Sequence, residues 1–188
     1  MALFLAGITL FCVVHLFKAA APASRENLVF KLGENAYKGI FSLLIVVSLV
    51  MIVFGWKATI PRPIYTPPLG PGLIPSVLVL VGLILFFASQ MNGFLKRILR
   101  HPQMLGTIAW AGAHLLTNGD SRSVTLFGAL AVWALLEIIL CNRRDGPRKE
   151  LPAASGKADL IATVVGVVAF GLIGHFHVWL FGVSPLPM

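Results

Sequence analysis

Charged residues are scarce in this chain. Aspartate, glutamate, lysine and arginine make up 12% of its 188 residues, whereas hydrophobic residues make up 57%. A water-soluble domain carries about 25% charged residues, so the composition excludes a soluble fold. The few charges stand in short stretches between long apolar runs. This pattern predicts an all-α membrane helix bundle that forms a single transmembrane domain over residues 1–188.

Several motifs of soluble enzymes are also missing. The two cysteines, Cys12 and Cys141, lack the spacing of a metal knuckle or a disulfide framework. The chain has no glycine-rich phosphate loop, nucleophile elbow, HExxH or CxxC pattern. Hydrolytic and nucleotide-dependent chemistry is therefore not indicated. The start Met1–Phe4 has no basic residue, so we expect a retained first helix rather than a cleaved signal peptide.

Six apolar segments are present, and each is a predicted membrane span. They cover about 3–20, 40–58, 73–89, 104–116, 124–140 and 160–181. A span needs roughly 20 apolar residues, so the short fourth segment is the least certain of them. Pro102 suits the first turn of that segment, and the prolines between 61 and 71 predict an extended connection. Asp120 or Ser121 is expected to cap the fifth helix, and Asp159 the sixth.

The net charge of +8 would indicate a nucleic-acid partner in a soluble protein. In a membrane protein it is explained by basic loops that face anionic lipid, so we expect no nucleic-acid partner. Lysines and arginines divide 12 to 3 between alternate loops. The basic loops are 18–38, 91–102 and 142–158, the last predicted to be polar and flexible. By the positive-inside rule, these loops face the cytoplasm, and the N-terminus is periplasmic in a bacterial inner (cytoplasmic) membrane.

Histidines in the apolar segments are the candidate functional residues, because an ionisable side chain inside a membrane is costly without a partner. His114 lies among small residues that would let a neighbouring helix or a flat cofactor come close. His15 lies in the first segment. Imidazole is a common ligand of metals and of haem iron, so both are candidate ligands, and both could equally be hydrogen-bonded packing residues.

Four further residues are weaker candidates. His101 precedes Pro102 and could simply cap the fourth helix, whereas Arg100 beside it could pair with a haem propionate or a substrate carboxylate. His175 and His177 are two residues apart and therefore point to different faces of the sixth helix, so at most one of them is expected to face the bundle.

Longer runs of residues give the chain a family resemblance. They are Leu32-Gly33-Glu34-Asn35-Ala36-Tyr37-Lys38-Gly39, Tyr65-Thr66-Pro67-Pro68, Arg100-His101-Pro102-Gln103 and Ala113-His114-Leu115-Leu116-Thr117-Asn118-Gly119-Asp120. With these, the chain resembles the NnrU family of bacterial membrane proteins over nearly its full length. The resemblance implies a role in nitrite and nitric oxide metabolism, as in denitrification, with nitric oxide or another small hydrophobic molecule as the ligand.

The NnrU family is in turn similar to 15-cis-zeta-carotene isomerase, a membrane haem b protein. That similarity implies haem b as the cofactor, with His114 and His15 as its axial ligands. It also implies a competing activity, cis–trans isomerisation of a polyene. The isomerase has a cysteine three residues before its histidine, and Ala111 stands there in this chain, which weighs against the isomerase.

Depth in the membrane leaves the second ligand open. His15 and His114 differ in height by roughly 10 Å at 1.5 Å per helical residue, whereas the axial nitrogens of one iron are about 4 Å apart. His175 or His177 fits the depth better and is the runner-up. Two further alternatives stay open: a non-catalytic assembly factor with unknown protein partners, and a membrane methyltransferase, which the Arg100-His101-Pro102 run resembles incompletely.

Overall fold

The computed structural model describes residues 1–148 and 153–185, and these residues are almost entirely helical. The helices are α1 (Ala2–Ala20), α2 (Pro22–Leu32), α3 (Glu34–Ala58), α4 (Leu73–Ala88), α5 (Phe94–Ile98), α6 (Pro102–Thr117), α7 (Ser121–Asp145) and α8 (Gly156–Phe181). The described residues contain no β-strand, only an isolated bridge between Pro63 and Asp120. The predicted all-α class is confirmed.

Each of the six predicted apolar segments falls on a helix, but only four of the described helices are long and apolar enough to cross a membrane. These are α1, α3, α7 and α8. Helices α4 and α6 have 16 residues each and therefore rise only about 24 Å, less than the roughly 30 Å of a bilayer core. Six spans and a periplasmic N-terminus therefore stay predictions.

Two helices lie where connecting loops were expected. Helix α2 occupies most of the stretch 18–38, and α5 lies within 91–102. Hydropathy missed both because neither is a continuous apolar run. Helices α3 and α7 also continue beyond their predicted apolar segments, since a helix satisfies its own backbone hydrogen bonds whether or not its side chains are apolar. Of the predicted flexible loop 142–158, residues 149–152 lie outside the described residues.

Contacts group the chain into two compact units: Met1–Arg62 with Ile139–Gly146, and Pro63–Ile138 with Pro147–Met188. In the first unit, α1 packs along α3 at a very close approach. A Cβ on Gly55 would lie 2.5 Å from the backbone nitrogen of Phe4, and a Cβ on Gly7 would lie 2.8 Å from that of Ile52. Only glycine fits at such distances, so small residues bring these two helices together, as is usual in membranes.

The second unit is built around α4, which packs on both α6 and α8. Gly82 on α4 and Gly106 on α6 face each other, and a Cβ on Gly106 would lie 2.5 Å from the carbonyl oxygen of Gly82. Gly166 on α8 approaches Ile84 in the same way. This close packing positions α6, the helix that carries His114.

The capping predictions have mixed outcomes. Asp120 caps α7 as expected, because its carboxylate accepts hydrogen bonds from the backbone N–H groups of Arg122 at 2.9 Å and Ser123 at 3.2 Å. The prediction for Asp159 was wrong: it lies inside the first turn of α8 and caps α5 instead, accepting the N–H groups of Phe94 at 2.6 Å and Leu95 at 3.1 Å. A carboxylate serves whichever helix N-terminus the tertiary fold brings to it.

Candidate functional site

Helix α6 places His114 one turn before its C-terminal end. The helix begins at Pro102, as predicted, and His101 is its N-cap residue without a side-chain capping hydrogen bond. The buried positions of α6 are all small residues or proline: Pro102, Gly106, Ala111 and Ala113. Of these, Gly106 allows α4 to lie close against the backbone of α6.

His114 has a fixed orientation. Its Nδ1 lies 2.8 Å from the carbonyl oxygen of Trp110. Because a carbonyl can only accept a hydrogen bond, Nδ1 carries the proton, and Nε2 is left with a lone pair for a ligand. The ring stacks on Phe127 of α7, with centroids 4.3 Å apart and an interplanar angle of 23°, and it contacts Trp110 at 4.9 Å. The imidazole is thus enclosed by two aromatic side chains.

Of the two histidines on α8, His177 is the one associated with His114. The charges of the two imidazoles affect each other: a positive charge on His177 disfavours a positive charge on His114. Nδ1 of His177 donates a hydrogen bond to the carbonyl oxygen of Val183 at 2.7 Å, so its Nε2 is also left with a lone pair. His175 is exposed and contacts its neighbour Phe176. The two side chains therefore have different surroundings, as their spacing predicts.

In the first unit, His15 repeats the local arrangement of His114. Its Nδ1 donates to the carbonyl oxygen of Phe11 at 2.8 Å, and the ring lies 4.2 Å from that of Phe11 and 5.5 Å from that of Phe41. His15 and His114 belong to different units, and their pairing as two ligands of one iron stays a prediction. Cys12, one turn before His15, is a half-buried free thiol.

Arg100 and His101 lie in the short connection between α5 and α6, and both are half-buried. They stand at the opposite end of α6 from His114, about 20 Å away along the helix by its length. The role of Arg100 as a partner of a propionate or a carboxylate stays a prediction.

The structure joins two sequence runs that nothing in the sequence connects. The hydroxyl of Tyr65 donates to the carbonyl oxygens of Leu115 and Asn118, the latter at 3.1 Å. The backbone N–H groups of Ile64 and Tyr65 donate to the carbonyl oxygen of Gly119 at 2.8 Å and 3.2 Å. The Pro-rich connection between α3 and α4 is therefore hydrogen-bonded to the C-terminal end of α6. The last carbonyl groups of a helix have no partner within the helix, so they are free to accept these bonds.

Gly119 makes this attachment possible. A Cβ at this position would lie 2.0 Å from the carbonyl oxygen of Tyr65, so a larger residue would displace the connection. Tyr65 and Phe127 are the two site residues that sequence reasoning did not assign to the surroundings of His114. Tyr65 stood in a recognisable run, whereas Phe127 is one of 13 phenylalanines and carried no distinguishing signal.

Asp120 follows directly, and its pKa is lowered from the usual value of 3.8. Partial burial by itself raises this pKa, but hydrogen bonds from Ser123 and Arg122 and the positive charge of Arg122 together outweigh burial. The Ser123 hydroxyl donates to the carboxylate at 2.5 Å. The α6–α7 turn thus holds an ionised carboxylate at the N-terminus of α7, where the helix dipole also favours it.

The family model described as NnrU protein matches residues 3–185. The chain belongs to the NnrU family. No curated protein and no solved structure matches it. The part of this NnrU family member that the structure describes contains no group of three or more His, Cys, Asp or Glu side chains placed to hold a metal ion. A haem iron, in contrast, is held by its porphyrin and needs only one or two protein ligands.

Proposed function

We propose that this chain is an NnrU-type protein of a bacterial inner membrane that supports nitrite and nitric oxide metabolism by binding haem b, with His114 as an axial ligand. Family membership and membrane-type helices support the general role. The setting of His114 is the observation that carries the cofactor: an oriented imidazole on an apolar helix, enclosed by aromatic rings.

The hydrogen bond from Nδ1 of His114 to the Trp110 carbonyl supports this assignment directly. Histidines that ligate metals almost always donate their other ring N–H to a carbonyl, a carboxylate or a water, which fixes the tautomer and the ring orientation. Here that bond is 2.8 Å long. Phe127 and Trp110 flank the ring and limit its movement, which keeps Nε2 in a defined direction for a ligand.

For the second ligand we propose His177. It belongs to the same unit as His114, and a positive charge on one imidazole disfavours a positive charge on the other, which favours two neutral rings. Its Nδ1 is also engaged by a backbone carbonyl. His15, the ligand implied by the family resemblance, has the same local chemistry in the other unit and is the competing choice. A haem with two imidazole ligands requires one such histidine in addition to His114.

Haem b, when bound, supplies an iron that can take a diatomic ligand such as nitric oxide. The contribution of this chain is to hold and orient the imidazoles and to keep the site apolar. The isomerase activity is less well supported, because Ala111 is fully buried and stands where the resemblance leads us to expect a cysteine. No thiolate is available from that position to exchange with an imidazole.

The test is an absorption spectrum with a pyridine haemochrome assay on the detergent-purified full chain from cells supplied with a haem precursor. We expect haem b in the wild type and most of it lost in His114→Ala. His177→Ala should retain haem but show an altered Soret band. His175→Ala is the matched control, since it removes an exposed imidazole two residues away on α8, and it should resemble the wild type.

Three outcomes would decide against parts of the proposal. A wild type without haem would refute the cofactor and favour a non-catalytic assembly role with packed histidines. Haem retained in full by His114→Ala would remove His114 as a ligand. A normal spectrum in His177→Ala together with an altered one in His15→Ala would assign the second ligand to α1.

A further inference from the structure

Helix α2 connects α1 and α3, two helices that are long and apolar enough to span a membrane. Helix α1 ends at Ala20 and α3 begins at Glu34, so α2 lies where the chain leaves and re-enters the bilayer. None of its residues is buried, and the side chain of Phe30 is 90% exposed. An apolar ring this exposed beside two spans indicates contact with the bilayer surface rather than with bulk water.

Arg25 on α2 is held against Tyr37 on α3. The guanidinium carbon lies 5.3 Å from the centroid of the tyrosine ring, a cation–π contact. Nε is fully covered and has no hydrogen-bond partner among the described residues. The two Nη groups are therefore the donors that remain for a ligand. A guanidinium stays charged at any physiological pH and presents a planar fork that matches the oxygens of a phosphate.

The carboxylate of Glu34 does not neutralise the charge of Arg25. Glu34 is attracted by Arg25, but its principal partner is Lys38, whose Nζ lies 2.7 Å from Oε1. Gly33 provides the turn between α2 and α3 with a φ of 81°, a conformation that favours glycine. The run Leu32–Gly39, one of the runs that indicated the family, therefore contains both the glycine of this turn and the tyrosine that contacts Arg25.

The surrounding end of this unit is basic. Residues 18–38 and 142–146 hold six lysines and arginines against three acidic residues. The two stretches meet, because a guanidinium nitrogen of Arg144 donates to the carbonyl oxygen of Lys18 at 3.2 Å. A net positive surface at the membrane boundary attracts anionic headgroups.

We propose that Arg25, supported by Tyr37, binds the phosphate of an anionic phospholipid at the bilayer surface. The guanidinium provides the contact to the phosphate, and the exposed Phe30 anchors α2 among the lipids. A soluble phosphate ester has the same chemistry at the phosphate, but it leaves the exposed ring without a partner. The site is therefore a lipid site, and it does not depend on the binding of haem.

Native mass spectrometry of the detergent-purified full chain, titrated with phosphatidylglycerol, tests the proposal. Arg25→Gln removes the charge-assisted hydrogen bonds to the phosphate and should weaken binding roughly tenfold or more. Arg25→Lys keeps the charge but loses the fork, and it should fall between the two. Lys57→Gln is the matched control, because it removes an exposed lysine at the opposite end of α3, and it should bind as the wild type does.

Circular dichroism of each variant confirms that the helices are intact. Equal affinity of wild type and Arg25→Gln for phosphatidylglycerol would overturn the proposal. A loss of affinity in Lys57→Gln as large as that in Arg25→Gln would also overturn it, because it would indicate unspecific charge attraction. Competition by glycerol 3-phosphate at the concentrations at which the lipid binds would assign the site to a soluble ligand and overturn the lipid assignment. Selective loss in the Arg25 variants without such competition would support it.

Discussion

The contact between α4 and α6 can be tested by adding one carbon atom. A Cβ on Gly106 would lie 2.5 Å from the carbonyl oxygen of Gly82, whereas ordinary contacts begin at 3.4 Å. The atom in its way belongs to a helix backbone and cannot rotate aside. Gly106→Ala must therefore push α4 and α6 apart by a large fraction of an ångström, and it loosens the packing that positions His114.

The magnitude follows from a comparison with Gly112 on the same helix. A Cβ on Gly112 would meet nothing within 4 Å. Both substitutions gain the same helix propensity, about 1 kcal/mol over glycine, so this gain cancels between them. What differs is overpacking, which costs typically 1–3 kcal/mol. We expect Gly106→Ala to be less stable than Gly112→Ala by that amount, and Gly112→Ala to be as stable as the wild type or slightly more so.

Thermal unfolding in detergent, followed by tryptophan fluorescence, measures the difference directly. We expect the midpoint of Gly106→Ala to lie several degrees below that of Gly112→Ala, and haem content, where present, to fall with it. Equal midpoints for the two variants would refute the close helix contact. A Gly112→Ala protein less stable than Gly106→Ala would show that the face of α6 assigned to open space is in fact packed.

Two further predictions concern the C-terminal end of α6 and the turn that follows it. Tyr65→Phe removes both hydrogen bonds to the helix carbonyls and should lower the free energy of unfolding by about 1 kcal/mol. Tyr37→Phe is its control, since no hydrogen bond to a described residue is present at the Tyr37 hydroxyl. An equal loss of unfolding free energy in the two variants would show that the hydrogen bonds of Tyr65 to α6 do not stabilise the fold. Asp120 should add stability at neutral pH, because its pKa is lower in the folded chain than the usual 3.8. This stabilisation is fully present when the pH is above the pKa of Asp120 in the unfolded chain. It is lost as the pH falls from that value through the lower pKa of Asp120 in the folded chain. Asp120→Asn should therefore be less stable than the wild type at pH 7, and the gap in unfolding midpoint should narrow as pH falls below about 4. A gap independent of pH over that range would show that the carboxylate charge is not involved.

The sequence alone predicted the features that depend on composition and on near neighbours. The scarcity of charge and the apolar runs predicted an all-α membrane protein, because hydropathy follows from which residues are present. All six apolar runs are helices, Pro102 begins α6 and Asp120 caps α7, since these are preferences of single residues at local positions. The quoted runs of residues also predicted the NnrU family, which the family model confirms.

The tertiary structure decided which distant residues meet. Asp159 caps a helix that begins 65 residues earlier, Tyr65 binds a helix end 50 residues away, and Phe127 rather than another phenylalanine covers His114. No periodicity encodes such pairs, because any carboxylate can cap a helix and any aromatic ring can cover an imidazole. The choice depends on the close approach of α4 and α6 through Gly82 and Gly106, where the absence of a side chain lets two backbones touch.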